Sequence, residues 1–177
     1  RSSDLVKVAL HDLSSEELLH GLRERKLSIA LTVSDPQQRL RGLQFIPLRK
    51  YAVCVALSPA HPLALGKHVR LGQAAGERLI AYSRGEYPEY HEWLDTLFAA
   101  QKVRPQVSEE HASVTSLIAA IEAGRGIAIV PECLSCLAGP RLTLKPLHPA
   151  PAPLHVGILH RREKLTAQEM SFIAAAQ

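Results

Sequence analysis

An α/β fold is what this sequence predicts, arranged as two lobes joined by crossing strands. Three observations carry the prediction. Short apolar, β-branched runs alternate with helix-patterned stretches along nearly the whole chain. Several of those stretches open on hydroxyl-bearing cap residues that follow a strand. Proline-rich segments near Pro59 and Pro149 offer stiff places for the chain to pass between lobes. With 177 residues, 46% hydrophobic and 21% charged, the chain suits one mid-sized domain or two small interlocked lobes.

Leu5–Leu10 alternates Val6, Val8 and Leu10 against Lys7 and Ala9 and reads as a strand. Ser14-Ser15-Glu16-Glu17 is a capping box, opening a helix with Leu18, Leu19 and Leu22 on one face and basic residues at its end. Leu27–Val33 is a strand too apolar for a wet face, as in a covered parallel sheet, so the three elements read as a βαβ unit. "LQFIPL" and "YAVCVALS" are β-rich. After the loop at His61-Pro62 come a short helix "LGQAAG" and the strand "LIAYS". "GEYPEYHEWLDTLFAAQ" is a helix with Pro88 in its first turn. "PQVSEE" is a strand, and a helix from about Ser113 to Ala123 ends at Gly124. The strand "GIAIV", a short helix from Pro131, and the strands "LTLKPL" and "LHVGILH" follow. Thr166 and Glu169 form a second capping box before the last helix.

Composition excludes several classes. Aromatics are 5% of the chain, so the core is mostly aliphatic. The formal charge is +4, but basic and acidic residues interleave, and His160–Lys164 reads as a solvated strand end rather than a nucleic-acid patch. Cys54, Cys133 and Cys136 make no disulfide framework; the Cys133–Cys136 pair lacks a second pair or a nearby histidine and reads as two buried small residues. No apolar run is long enough to span a bilayer. The chain begins at Arg1-Ser2-Ser3 without a methionine and reads as a fragment.

Motifs for catalysis fail on inspection. The glycines of "AGRGIAIVP" follow a helix and precede a strand, the reverse of a dinucleotide fingerprint, and Ile129 stands where its third glycine would be. "HEWLD" has Asp95 in place of the second histidine of a zinc-protease helix, so His91–Asp95 reads as a wet helix face. No serine sits in a nucleophile elbow, and Glu109, Glu110 and His111 are consecutive on a strand, where neighbours point to opposite faces. What recurs is hydroxyls at helix starts after strands: Ser14-Ser15, Tyr82-Ser83, and Ser113 with Thr115. Such turns suit a small anion such as a carboxylate, although a serine there is more often only a cap.

Four stretches in order resemble the effector-binding (regulatory) domain of LysR-type transcriptional regulators. They are "ELLHGLRERKLSIALTV", with Ser28 in place of the usual acid; His61-Pro62-Leu63-Ala64; "VRLGQAAGERLIAYSR", with Gln73 and Arg78 as departures; and Ala123–Pro131, against the pattern V-x-x-G-x-G-I-A-L-V-P. The resemblance implies two Rossmann-like lobes of the type II periplasmic-binding-protein kind, residues 1–58 with 150–177 and residues 59–149. It implies a first lobe lacking its usual first strand and helix. It makes the glycine turn structural, with Gly124 ending a helix and Gly126 letting a central strand pack closely.

By motif position, the family's effector contacts fall on Ser14, Ser15, Thr32, Tyr82, Ser83, His111 and Ser113, with no catalytic residue, metal or cofactor. The implied partners are a small-molecule effector, a carboxylate by its chemistry, and a second copy in a homodimer. The full-length protein would be a cytoplasmic tetramer that reaches DNA through an N-terminal domain missing here, with no membrane contact. Two alternatives share the pattern. One is a periplasmic solute-binding protein; the other is an enzyme lobe like that of prephenate dehydratase, for which only Thr32, Thr115 and His111 are candidates.

Overall fold

The computed structural model describes residues 8–34 and 40–177. The chain divides into two compact units, Arg1–Arg49 with His155–Gln177, and Lys50–Leu154.

The first unit holds α1 (Ser15–Arg23), β1 (Ile29–Ser34), most of β2 (Leu43–Tyr51) and of β9 (Leu154–Arg161), and α6 (Ala167–Ala176). Both predicted capping boxes form. Ser14 Oγ accepts from Glu17 N at 3.3 Å while Ser14 N donates to the Glu17 carboxylate at 2.8 Å. Thr166 and Glu169 make the same exchange at the start of α6. The strands run in the order β1-β9-β2. Leu22, Ala30, Leu43 and Leu159 form the core, with Leu18, Leu19 and Phe45 packed against it.

Three expectations in this unit are corrected or fall partly outside the described residues. Leu5–Lys7 lie outside the described residues, and Val8–Leu10 form no strand, with Leu10 86% exposed. The predicted βαβ unit thus falls partly outside the described residues, while β1 pairs antiparallel with β9, Ile29 opposite His160. Among the described residues β1 lies at the sheet edge, and Leu31 and Val33 are exposed on its outer face. Nor is His160–Lys164 simply a solvated end. His160 is buried, and Arg161 Nη1 donates to the carbonyls of Leu22 and Leu27 at 2.9 and 2.7 Å, receiving the chain where α1 ends. Arg25 meets Glu163 with two nitrogens at 2.9 and 2.6 Å.

The second unit is a mixed sheet covered on both sides. Its strands are β3 (Val53–Leu57), β4 (Val69–Arg70), β5 (Arg78–Tyr82), β6 (Gln106–His111), β7 (Ala128–Pro131) and β8 (Thr143–His148). Antiparallel β3 lies between β7 and β8, and β4 adds parallel to β8. β5 and β6 pair parallel. Ile80 N donates to Ile127 O at 2.8 Å and Ile127 N to Arg78 O at 2.9 Å, joining β5 to the approach to β7. The full order is thus β6-β5-β7-β3-β8-β4.

Alternation along these strands builds two cores. Val53, Val55, Leu57, Leu79, Ile127 and Ile129 face one side with Leu94 and Phe98 of α3 (Pro88–Ala99). Ala56, Ile80, Ala128 and Val130 face the other, against Leu117, Ile118 and Ile121 of α4 (Val114–Glu122). All five residues of β3 are buried, as a central strand between two helical layers must be. The other helices here are the short α2 (Leu71–Ala75) and α5 (Ser135–Ala138).

The glycine turn behaves as expected. Gly124, at φ +72°, takes the left-handed conformation that ends α4. Gly126 has no room for a side chain, because a methyl there would run into the carbonyl oxygen of Arg78 and come within 3.1 Å of Ile80. The absent Cβ lets the start of β7 hydrogen bond alongside β5.

The cysteines correct the expectation of a buried pair. Cys54 is buried, Cys133 half-buried and Cys136 exposed. The four-residue α5 is too short to bury both faces, so its outer side, including Cys136, meets solvent. Burial, then the Glu132 carboxylate, pushes the Cys54 thiol up to about 11. At pH 8 about one Cys54 in a thousand is then thiolate. With Ellman's reagent at pH 8, Cys136 is expected to react first and Cys54 only after denaturant is added. Prompt titration of all three thiols in the folded protein would show that β3 opens readily.

Candidate functional site at the ends of β5 and β6

Parallel pairing puts the ends of β5 and β6 side by side, with Tyr82 opposite His111. Ser83 N donates to His111 O at 2.9 Å, extending the pair by one residue. Beyond that point each strand turns into a helix. Ser113 caps α4, its Oγ accepting from Ser116 N at 3.2 Å and lying 3.0 Å from Ser116 Oγ. Four of the seven predicted contacts, Tyr82, Ser83, His111 and Ser113, are thereby brought together at the carboxyl ends of two parallel strands. Ligands of open α/β sheets bind at such ends, where helix N–H groups emerge.

These side chains differ in what they can still bind. Among the described residues, neither the Tyr82 hydroxyl nor the Ser83 hydroxyl has a hydrogen-bond partner. Burial chiefly, then Tyr87 and Cys133, pushes the Tyr82 hydroxyl well above its ordinary value, so it remains a neutral donor. Its ring is fixed by Tyr87 at 4.7 Å and Tyr90 at 5.2 Å. His111 is already engaged: its Nε2 lies 2.8 Å from Glu109 Oε1. Arg125 holds the same carboxylate, with Nε 3.0 Å from Oε2 and Nη2 on Oε1.

The three remaining candidates belong to the first unit. Ser14 is 4% exposed, and its hydroxyl oxygen accepts from Glu17 N in the capping box, which leaves its O–H able to donate. Ser15 is half-buried in the first turn of α1. Thr32 lies opposite Gly157 on β1, with its hydroxyl 3.4 Å from Val33 O.

Sequence reasoning missed His91. Expected on a wet helix face, it is 1% exposed, and its Nε2 lies 2.6 Å from Tyr82 O. A carbonyl only accepts, so Nε2 must carry the proton. Its face of α3 is buried because Leu94 and Phe98, three and seven positions on, point into the core. That spacing was the signal available in "HEWLDTLF". Tyr90 was missed as well; its hydroxyl donates to Ile129 O at 3.0 Å, tying α3 to β7. Together they hold the end of β5 where Tyr82 and Ser83 are presented. Among the described residues, no group of three or more His, Cys, Asp or Glu is placed to hold a metal ion. No described helix is long and apolar enough to cross a membrane.

Comparison with known proteins identifies the fold and the family. The model of the LysR substrate binding domain matches residues 3–177. The HTH-type transcriptional regulator BudR of Raoultella terrigena is 25% identical over 145 residues, 82% of this chain. The chain spans 50% of that relative's length. The regulatory domain of CcmR from Synechocystis PCC6803, solved in complex with 2-PG, superposes with a TM-score of 0.80 at 18% identity, covering 96% of this chain and 81% of that one. The effector binding domain of QuiR in complex with shikimate gives 0.78 at 19% identity, covering 92% and 76%. The fold is therefore the type II periplasmic-binding-protein-like one, and this chain belongs to the LysR substrate-binding domain family.

Proposed function

We propose that this chain senses a small organic acid on behalf of a DNA-binding transcriptional regulator. The observation that carries the reading is the pair of unpartnered hydroxyls, Tyr82 and Ser83, beside the first turn of α4. Hydroxyl donors and helix N–H groups together suit a carboxylate better than a cation or an apolar ligand. Shikimate and 2-PG in the structures of two relatives support an acidic effector without naming the one used here. Ser14, Ser15 and Thr32 are proposed as further effector contacts, and His111 as one that acts through its Glu109-held ring.

The proposal extends to the whole regulator. This domain pairs with a second copy, the full-length protein is a cytoplasmic tetramer, and DNA is bound by a separate N-terminal domain. Effector binding shifts the balance between arrangements of the assembly by its unequal affinity for them. Binding without turnover is the activity.

A thermal-shift screen against shikimate, benzoate and short dicarboxylates tests the reading. A ligand present at a hundred times its dissociation constant adds about 2.7 kcal/mol to folding. In a chain of this size that raises the melting temperature by about 5–10 °C. The ligand is expected to be recovered unchanged after prolonged incubation. Its conversion would favour an enzyme, and a response to cations or sugars but no acid would overturn the carboxylate reading.

A further inference from the structure

An open groove with about 400 Å³ of space lies at the β4–β8 edge of the second unit's sheet, lined by Arg70, Gly72, Gln73, Gln101 and His148 and by the apolar Leu71 and Pro149. Arg70 and His148 are opposite each other at the carboxyl ends of the parallel strands β4 and β8. In the strand order, β7 and β3 lie between this place and the β5–β6 ends.

The polar groups here are donors and a cation without an acid among them. Gln73 Oε1 accepts from Arg70 N at 3.0 Å and from Arg70 Nε at 3.3 Å, anchoring the guanidinium by one edge. Among the described residues Arg70 has no carboxylate partner, and the lining contains no acidic residue. The His68 ring adds to the His148 side, the two centroids 5.0 Å apart. Arg25 and Arg125, by contrast, are paired with Glu163 and Glu109. An anchored guanidinium beside two imidazoles and the Gln101 amide offers donors and positive charge with nothing to neutralise them. An arginine fork matches the paired oxygens of a phosphate or carboxylate.

We infer that this groove is a second ligand site, for a small oxyanion carrying two or more negative charges, separate from the effector site proposed at β5 and β6. The shared chemistry is that of phosphate and of short dicarboxylates.

The test is a ¹H–¹⁵N NMR titration of this chain with inorganic phosphate and, separately, with succinate. Ionic strength is held constant, with chloride as the reference salt. One anion or both should produce saturable shifts at His68, Arg70, Gln73 and His148, with a dissociation constant of about 1 mM or tighter. Saturation by phosphate alone identifies a phosphoryl ligand, and by succinate alone a dicarboxylate. Arg70→Gln should weaken binding about tenfold, since a charge-assisted contact is lost. Gly72 has ordinary φ, and a Cβ there meets nothing within 4 Å, so Gly72→Phe should fill the groove and abolish binding without lowering the melting temperature. Ser83→Trp, at the other site, should leave these shifts unchanged. Shifts that grow linearly without saturating, equal shifts with chloride, or unaltered affinity in both groove variants would overturn the inference.

Discussion

Gly126→Ala should destabilise the protein by about 3 kcal/mol, the cost of forcing a group into a fully packed site. The added methyl would meet the carbonyl oxygen of Arg78, which is backbone and cannot rotate away, and would crowd Ile80. Relief requires β7 to move from β5, which strains the hydrogen bonds of Ile80 N to Ile127 O and Ile127 N to Arg78 O. Gly124→Ala is the informative comparison. It introduces a positive-φ penalty of about 1 kcal/mol but meets nothing within 4 Å. Urea denaturation should therefore rank wild type above Gly124→Ala and Gly124→Ala above Gly126→Ala, with similar slopes. If Gly126→Ala unfolds at the wild-type midpoint, close approach of β5 and β7 is not what this glycine serves.

Gly124 was legible in the sequence because its cause is local: a helix stripe runs into a glycine. The role of Gly126 followed only from the family resemblance, since the Arg78 carbonyl it faces is distant in sequence. The capping boxes at Ser14 and Thr166 were legible for the same reason as Gly124, since each closes over three residues. What escaped was decided by distant partners. β1 pairs with a strand more than a hundred residues away, and an apolar run does not say whether its neighbour runs parallel or antiparallel. His91 looked wet beside Glu89, Glu92 and Asp95; the Leu94 and Phe98 spacing marked its face as buried, but the Tyr82 carbonyl that satisfies its ring there could not be foreseen. The candidate site divides along the same line. Its hydroxyls could be listed from the turns that carry them, but their proximity depends on β5 and β6 pairing parallel in one register. The partners of those hydroxyls could not be foreseen either: Ser14 and Ser113 accept hydrogen bonds as caps, while Tyr82 and Ser83 keep their full capacity.

That difference makes Ser83 the position at which binding and folding separate most cleanly. Its backbone N–H carries the structural bond to His111 O, which any residue but proline preserves. Its side chain is half-buried, and its hydroxyl has no protein partner among the described residues. Ser83→Ala should weaken an acid effector about five- to tenfold, the loss of one hydrogen bond to a charged group in a partly wet site. Ser83→Trp should weaken it by about a hundredfold or more, because the indole would occupy the space beside the first turn of α4. Neither variant should move the melting temperature of the ligand-free protein by more than about 3 °C. Tyr82→Phe supplies the other half of the argument. It keeps the ring between Tyr87 and Tyr90 and removes only the hydroxyl, so about a tenfold loss is expected there too. Calorimetric titration of the effector found by thermal shift reads all three. Full affinity in Ser83→Trp would place the acid elsewhere in the chain, and loss confined to Ser83→Trp would mean that the pocket is shaped by these residues but not bonded by them.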